Sequence, residues 1–594
     1  DKEIKGCVVA RNNRDHWSLA RSIIMMKYIK LVSLLLAIPM STSFEIDLSS
    51  QQIIDDYGRS MIFHGVNAVE KKAPYLPFPT GGIEDQSVLS DDDAALLEGW
   101  GFNVVRLGVL WAGVMPSEGE VNTTYLSNVK SMIEMLAERG VYTLVDMHQD
   151  VLSETMCGEG IPAWALAKGL ASVGFNASDP AKAFPAPLPY DIPTDPSTGY
   201  PSVEGCMENS FFLYYTSFES EATWRSLYSV PDMQAALGDH WRAVANHLQG
   251  TNGLLGYEMI NEPWPARGSG ANPNRVLSDA NTLGNLYDVL HAAVRGVDAN
   301  ALFFFEPLVL DSYEESVLQT LTTDFPPGGA GADAATGLGD GKSVFAYHSY
   351  CPSNPDGSPA YMRLCRKLVG WGWDAVGRNL GHLGPSVGGF LTEFGAVGND
   401  SDSLELLQLQ ASGADSLLQG WAYWTYKSFD DVTTQNQHTE TFFNEDGSLQ
   451  LGKIKALART YARAVAGTPT AMLFDPSTAK FKLDFTATAV VLNGKANHNP
   501  ADAAAAGGGG AVQGSRGSGG SEGVAATTEV FLHQGFYYPN GFAVTLTPPE
   551  GVSWSVLRNG TGGAGTGGAF SVLGITVLDP NLVGAAVSVA IGPV

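Results

Sequence analysis

Two glutamates close apolar runs in settings suited to paired-carboxyl chemistry. Gly256-Tyr257-Glu258-Met259-Ile260-Asn261-Glu262-Pro263-Trp264 carries one, and Leu391-Thr392-Glu393-Phe394-Gly395 carries the other. Hydrolysing a glycosidic bond requires stabilising an oxocarbenium-like transition state while protonating a poor leaving group, and two carboxyl groups flanking the bond do both. In that chemistry Glu262 is the expected general acid and then general base, and Glu393 the nucleophile. Asn261 is placed to hydrogen-bond a sugar 2-hydroxyl, an interaction that strengthens in the transition state. His348 and Tyr350 are expected to orient the carboxyl groups, Arg106 to hold Glu393 ionised, and Trp424 to form a floor under the sugar ring, so that all of them line the substrate site. Glu258 and Glu306 compete for the acid roles. Glu258 falls inside its apolar run and is expected to face structure, whereas Glu306 ends its run and could line the site.

Such distant residues converge only if the fold gathers them. Eight short apolar runs alternate with segments of helical period: Met61 to Val66, Asn103 to Val109, Tyr142 to His148, Leu254 to Ile260, Ala301 to Glu306, Ser343 to His348, Gly388 to Glu393 and Gly420 to Tyr426. The pattern fits an α/β fold, a (β/α)8 TIM barrel, which brings the C-terminal ends of its strands together on one face. Asn67, Arg106, His148, Asn261-Glu262, Glu306, His348 and Tyr350, Glu393 and Trp424 all lie near or just beyond such ends. Ser90 and Asp91-Asp92-Asp93 read as a capped helix start rather than a cation site. The stretch from Val151 to about Pro231 is long for a βα connection. Its Phe211, Phe212, Tyr214, Tyr215, Phe218 and Trp224 suit either a disulfide-held subdomain core or an apolar wall that receives a lipid.

From about Thr468, short alternating runs separated by Gly, Pro and Asn predict a C-terminal antiparallel β-sandwich, interrupted by a Gly-, Ala- and Ser-rich loop at 501–523. The expected domains are 1–43 (upstream segment and signal peptide), 44–467 (barrel) and 468–594 (sandwich). The signal reading rests on Met25-Met26, Lys27, Lys30 and an apolar run of about ten residues from Leu31 to Met40, shorter than the roughly 20 a spanning helix needs. It implies a secreted or lysosomal protein.

Charge excludes more than it identifies. The 594 residues carry 35 Lys plus Arg against 62 Asp plus Glu, a net charge of -27 that would repel nucleic acid. With Cys7 in the upstream segment, Cys157, Cys206, Cys351 and Cys365 remain. Three pairings are formally possible. Cys157 with Cys206 and Cys351 with Cys365 is the preferred one, since each pair sits within one connecting segment. N-glycosylation acceptors at Asn122, Asn176, Asn399 and Asn559 agree with secretion.

Asn-Glu-Pro on the fourth run, His348-Ser349-Tyr350 on the sixth, Thr392-Glu393-Phe394-Gly395 on the seventh and Trp424 on the eighth together resemble glycoside hydrolase family 5, from about Ile53 to Ala466. That resemblance implies a retaining mechanism with no metal or organic cofactor. Phe63 to Lys71, Asp146-Met147-His148-Gln149-Asp150-Val151, Asn261-Glu262-Pro263-Trp264 and Tyr423-Trp424-Thr425-Tyr426-Lys427 are similar to the endoglycoceramidase group of that family. The similarity implies release of an intact oligosaccharide from ceramide in a glycosphingolipid, at a membrane or micelle surface. It also implies that Lys71, His148 and Asp150 bind sugar hydroxyls in the minus subsites. A glucosylceramide or steryl-glucoside β-glucosidase, an endoglucanase or mannanase, and a catalytically silent glycolipid-binding protein are the alternatives. The sequence does not indicate an oligomeric state.

Overall fold

The computed structural model describes residues 40–175, 184–186, 191–264, 266, 280–308, 339–354, 356–429, 433, 437–488, 527–560 and 567–594. The expected signal segment up to Pro39, the loop at 501–523 and the Asn176 acceptor triplet lie outside them. The chain divides into two units, Asp1–Met40 and Ser41–Val594, and every described strand and helix belongs to the second. Among the described residues no helix is long and apolar enough to cross a membrane.

Three short strands come first: β1 (Phe44–Ile46), β2 (Ile53–Asp55) and β3 (Ser60–Met61). They are followed by β4 (His64–Ala68), β5 (Val104–Gly108), β6 (Tyr142–Asp146), β7 (Leu254–Glu258), β8 (Leu302–Phe305), β9 (Ser343–Ser349), β10 (Val387–Gly395) and β11 (Gly420–Trp424). These eight are parallel neighbours in a closed barrel, sealed where Trp421, Ala422 and Tyr423 pair with His64, Gly65 and Val66. Each coincides with one of the eight apolar runs. The runs are continuous because strands covered on both faces bury every residue, as β4 through β8 do. The helix at Asp91–Trp100 carries the expected Ser90 cap, a reciprocal capping box with Asp93.

The C-terminal part contains β12 (Tyr461–Val465), β13 (Gly467–Asp475), β14 (Lys480–Ala487), β15 (Thr527–His533), β16 (Phe542–Thr547), β17 (Val552–Gly560), β18 (Phe570–Val577) and β19 (Ala586–Pro593). A four-stranded sheet runs β13-β14-β19-β16, and β14 alternates exposed and buried residues as a one-sided strand should. The larger sheet runs β1-β2-β3-β12-β15-β18-β17. The N-terminal strands, assigned from sequence to the barrel domain, therefore complete the sandwich sheet, and the boundary expected at 467/468 falls inside β13. Strands of two or three residues leave no periodic signature to read. The buried Arg59 ties this edge together, 2.8 Å from Asp55 on β2 and 2.6 Å from Glu529 on β15. Ile62, between β3 and β4, packs into the sandwich core with Tyr461, Phe531 and Leu573.

The connection after β6 contains the expected insertion, with helices at Ala163–Ser172, Val203–Met207, Phe211–Tyr215 and Phe218–Ser229. Both expected disulfides are present, Cys157–Cys206 and Cys351–Cys365.

Candidate active site

Glu393 reaches the barrel mouth through an irregularity in its own strand. Leu391 pairs with Tyr347 but Glu393 pairs with His348, so Thr392 is an extra residue, a bulge of the kind that re-aims a side chain beside a site. Asn67 on β4 fastens the bulge by donating to the Thr392 carbonyl at 3.0 Å. Both carboxyl oxygens of Glu393 are then held. Arg106 donates to Oε1 at 2.6 Å, and the Tyr350 hydroxyl donates to Oε2 at 2.9 Å.

Glu262 stands beyond β7 with a backbone φ of 42°, a left-handed conformation that costs about 1 kcal/mol or more outside glycine and is tolerated where the surroundings enforce it. The surroundings are specific. Gln149 donates its side-chain amide to the carbonyls of Asn261 (2.8 Å) and Glu262 (3.3 Å), and the Glu262 N–H donates to Glu306 Oε2 at 3.2 Å. His348 Nδ1 lies 2.8 Å from Glu262 Oε1 and 3.6 Å from Glu393 Oε2. One carboxyl oxygen of each glutamate and a ring nitrogen of His348 all lie within 4.8 Å of one another. That is the separation of a pair acting directly on both faces of one bond; inverting pairs stand roughly 6.5–9.5 Å apart to admit a water. Glu262 and Glu393 are 7% and 4% exposed.

Charges beneath the pair are concentrated on Arg106. Its guanidinium contacts Glu258, Glu393, Glu306 and Asp146, and also donates to Asn67 and Asn261. It donates to Glu393 as expected, but it is fully buried with its donors turned inward to carboxyl groups and to Asn67 and Asn261, so it is not open to the cleft as a substrate contact. Glu258 faces structure as expected, and burial pushes its carboxyl up to about 7 although Arg106 opposes the shift. Burial lowers His348 to about 4, against the pull of Glu393, so its imidazole is neutral at pH 7.

The second cluster lies on the β6 side. His148 Nδ1 is 2.7 Å from Asp146, its Nε2 is 3.4 Å from Asp150, and its ring stacks on Trp424 with centroids 5.3 Å apart. Burial disfavours the imidazolium here too, but Asp146 and Asp150 overcome it and hold His148 up to about 10. Lys71 Nζ sits 2.6 Å from Asp150 and 5.0 Å from the centre of the Trp424 ring. Burial works against the Asp150 carboxylate, yet Lys71 and His148 keep it well below the usual range. Lys71 and His148 are 1% exposed and Asp150 8%, so in this arrangement the first two present Asp150 to the cleft.

Sequence reasoning missed three members of this cluster. Glu159 is 3.3 Å from Lys71, Thr433 accepts from Lys71 at 2.6 Å, and Tyr215 donates to Asp150 at 3.2 Å. A signal for Glu159 exists in its flanking glycines. A Cβ at Gly158 would stand 2.0 Å from the Asp150 carbonyl oxygen, and Gly160, at φ 113°, abuts His148 and Gln149. His148, Asp150 and Glu159 have the donor set of a metal site, as do Glu258, Glu306 and His348, and Glu262, His348 and Glu393. Each trio already has a protein cation within it or beside it, Lys71 in the first and Arg106 in the others.

The insertion divides into the two roles its sequence allowed. Tyr214 and Trp224 are buried as core, whereas Phe212 (39% exposed) and Phe218 (45%) face outward. Trp264, two residues past Glu262, stacks on Tyr215 at 4.5 Å and meets Phe212 edge-on at 6.2 Å. An aromatic strip of Trp264, Tyr215 and Phe212 thus starts two residues past Glu262 and ends at an exposed ring.

Known proteins of one family resemble this chain over most of its length. The family profile described as cellulase (glycosyl hydrolase family 5) matches residues 84–430, and that of the glycoside hydrolase family 5 C-terminal domain matches 459–563. Endoglycoceramidase from Cyanea nozakii is 31% identical over 530 residues, covering 87% of this chain and 90% of its own. The enzyme of the same name from Hydra vulgaris is 30% identical over 504 residues, with 84% and 82% covered. Among solved structures, endo-glycoceramidase II from Rhodococcus sp. as its lactosyl-enzyme intermediate superposes with a TM-score of 0.60 at 21% identity, covering 91% of this chain and 99% of that one. The chain belongs to glycosyl hydrolase family 5 and, within it, to the endoglycoceramidase group.

Proposed function

We propose that the protein hydrolyses the bond between oligosaccharide and ceramide in glycosphingolipids by double displacement, with Glu393 as nucleophile and Glu262 as acid and base. Glu393 attacks the anomeric carbon while Glu262 gives its proton to the departing ceramide oxygen, leaving a glycosyl ester on Glu393. Glu262, now a carboxylate, takes a proton from water, and that water displaces Glu393 with net retention. Arg106 and Tyr350 fix the two oxygens of the nucleophile, and His348 holds Oε1 of the acid. The observation that carries this reading is the meeting of Glu262 and Glu393 with His348 within 4.8 Å.

Relatives at about 30% identity over most of the chain support the substrate class, and the strip from Trp264 to Phe212 supplies an apolar surface for the lipid. Val203, Met207 and Phe218, also exposed on the insertion, suit work at a membrane or micelle surface. The two disulfides and the apolar segment at 31–40 support a secreted or lysosomal setting.

Purified protein should be offered a ganglioside, glucosylceramide, a steryl glucoside and soluble cellulose, with both products identified by mass spectrometry. Intact oligosaccharide plus ceramide is expected from the ganglioside. Cleavage of glucosylceramide or steryl glucoside with the ganglioside untouched would move the assignment to a β-glucosidase of the same group. Glu393→Gly should abolish hydrolysis yet transfer sugar from a glycosyl fluoride of inverted configuration.

A further inference from the structure

We propose that Glu306 is a positioning residue that carries a proton throughout the catalytic cycle and donates it to His348 Nε2, fixing the His348 tautomer that presents Nδ1–H to Glu262. This rests on Glu262 being the acid and base. The geometry is a short chain: Glu306 Oε2 is 3.5 Å from His348 Nε2, and His348 Nδ1 is 2.8 Å from Glu262 Oε1. The same Glu306 oxygen accepts from the Glu262 backbone N–H at 3.2 Å, and Oε1 accepts from Arg106 at 3.4 Å. Without a proton on Glu306, Nε2 of a neutral imidazole carrying its hydrogen on Nδ1 would face a carboxylate, lone pair against lone pair. Nε2 is otherwise a buried polar atom without a partner among the described residues.

Charge counting leads to the same place. The described groups facing Glu306 are Arg106 on β5, Glu258 and Glu262 on and after β7, His348 on β9 and Glu393 on β10; the Tyr287 hydroxyl, from the helix Ala280–Arg295, bonds to the Glu306 backbone. Counting Glu306 itself, four carboxyl groups here meet one guanidinium, and buried like charges packed this closely do not all ionise. Glu393 must be a carboxylate to attack, and Glu262 alternates, so a permanent proton belongs on groups that do neither. Glu306 is 1% exposed. Burial first, then Glu258, Glu262 and Glu393, raise its carboxyl well above the ordinary range against the opposition of Arg106.

With the proton on Glu306, His348 can only donate toward Glu262. It then holds Oε1 in both states of the acid, so the proton that Glu262 delivers to the leaving oxygen sits on Oε2. Were Glu306 ionised instead, His348 would carry its hydrogen on Nε2, and Nδ1 would compete with the leaving group for the proton of Glu262.

The test compares Glu306→Gln with Glu306→Leu in the full-length enzyme on two substrates: a glycosphingolipid, whose alkoxide leaving group needs the acid, and a dinitrophenyl glycoside of the same sugar, whose leaving group does not. In Glu306→Gln the amide nitrogen takes the place of Oε2 and donates to His348 Nε2 while the amide oxygen keeps the Arg106 contact, so the donor under test is retained and only the acceptor for the Glu262 N–H is lost. Glu306→Gln is expected to stay within about 5-fold of wild type with an unmoved pH profile. Glu306→Leu is expected to lose roughly 10²-fold on the lipid but little in the glycosylation step of the activated substrate. Equal losses on both substrates, or a Glu306→Gln variant whose pH profile shifts, would overturn the proposal. If Glu306→Leu does not fold, the pH profile of Glu306→Gln decides alone. Should Glu262→Ala show no dependence on leaving group, the assignment of the acid fails, an outcome distinguishable from failure of the Glu306 proposal.

Discussion

Replacing His148 by Gln tests the electrostatics of the sugar-binding side, and its size follows from the structure. His148 is buried between Asp146 and Asp150 and held up to about 10, against an ordinary value of 6.5. The shift corresponds to about 5 kcal/mol, an order-of-magnitude figure. Because the folded value is raised, the stabilisation is fully present below about pH 6.5 and is lost as pH rises toward about 10, where the unfolded chain has given up the proton and the folded one has not. Guanidinium unfolding of wild type and His148→Gln across that range should therefore give two curves that converge: the gap between them is largest near about pH 6.5 and shrinks by several kcal/mol at the alkaline end. Parallel curves would refute the reasoning, since they would mean that His148 is neutral in the folded enzyme. The same experiment bears on function. A permanent imidazolium keeps Asp150 as an acceptor for sugar hydroxyls, so binding should weaken in the variant even where folding does not.

Three further outcomes follow from the geometry. Arg106→Met should cost about 3–5 kcal/mol in urea unfolding and abolish turnover, because it strands several buried carboxyl groups at once. The first product observed by proton NMR during cleavage of an aryl β-glycoside should be the β-anomer; an α-anomer would mean that the 4.8 Å cluster does not act by double displacement. Replacing the Cys157–Cys206 pair by serines should lose about 4 kcal/mol, given its sequence separation of 49, and the Cys351–Cys365 pair about 3 kcal/mol at a separation of 14. Only the first should also impair binding of the lipid, because it clamps the insertion.

The barrel is legible in the sequence because its strands bury both faces, leaving apolar runs such as Leu302–Phe305 that need no alternation to be seen. The strand ends then name the site, since the fold makes them neighbours. What escapes is whatever depends on pairing across long separations without a local pattern. β1 to β3 are too short to show a period, yet they extend the sandwich sheet through contacts such as Arg59 with Glu529. Arg106 is visible as a charge near a strand end, but only its six partners reveal that it faces inward rather than toward substrate. Thr433 reaches Lys71 across 362 residues of sequence, with nothing local to announce it.

The two histidines of the centre show where the line falls. Asp146, His148 and Asp150 are spaced by two, and residues so spaced on an extended chain share a face. Asp146 and Asp150 together hold the His148 imidazole protonated against burial, so both partners of that charge come from within five consecutive residues. His348 has no such neighbours. Ser349 and Tyr350 follow it, and its carboxyl partners Glu262, Glu306 and Glu393 come from three other strands. Three acids around one imidazole would ordinarily charge it as well. It stays neutral because burial outweighs the pull of Glu393, and Arg106, brought from yet another strand, adds its own repulsion. The acid function of Glu262 depends on that neutrality, since an imidazolium 2.8 Å away would strip the carboxyl group of the proton it must deliver.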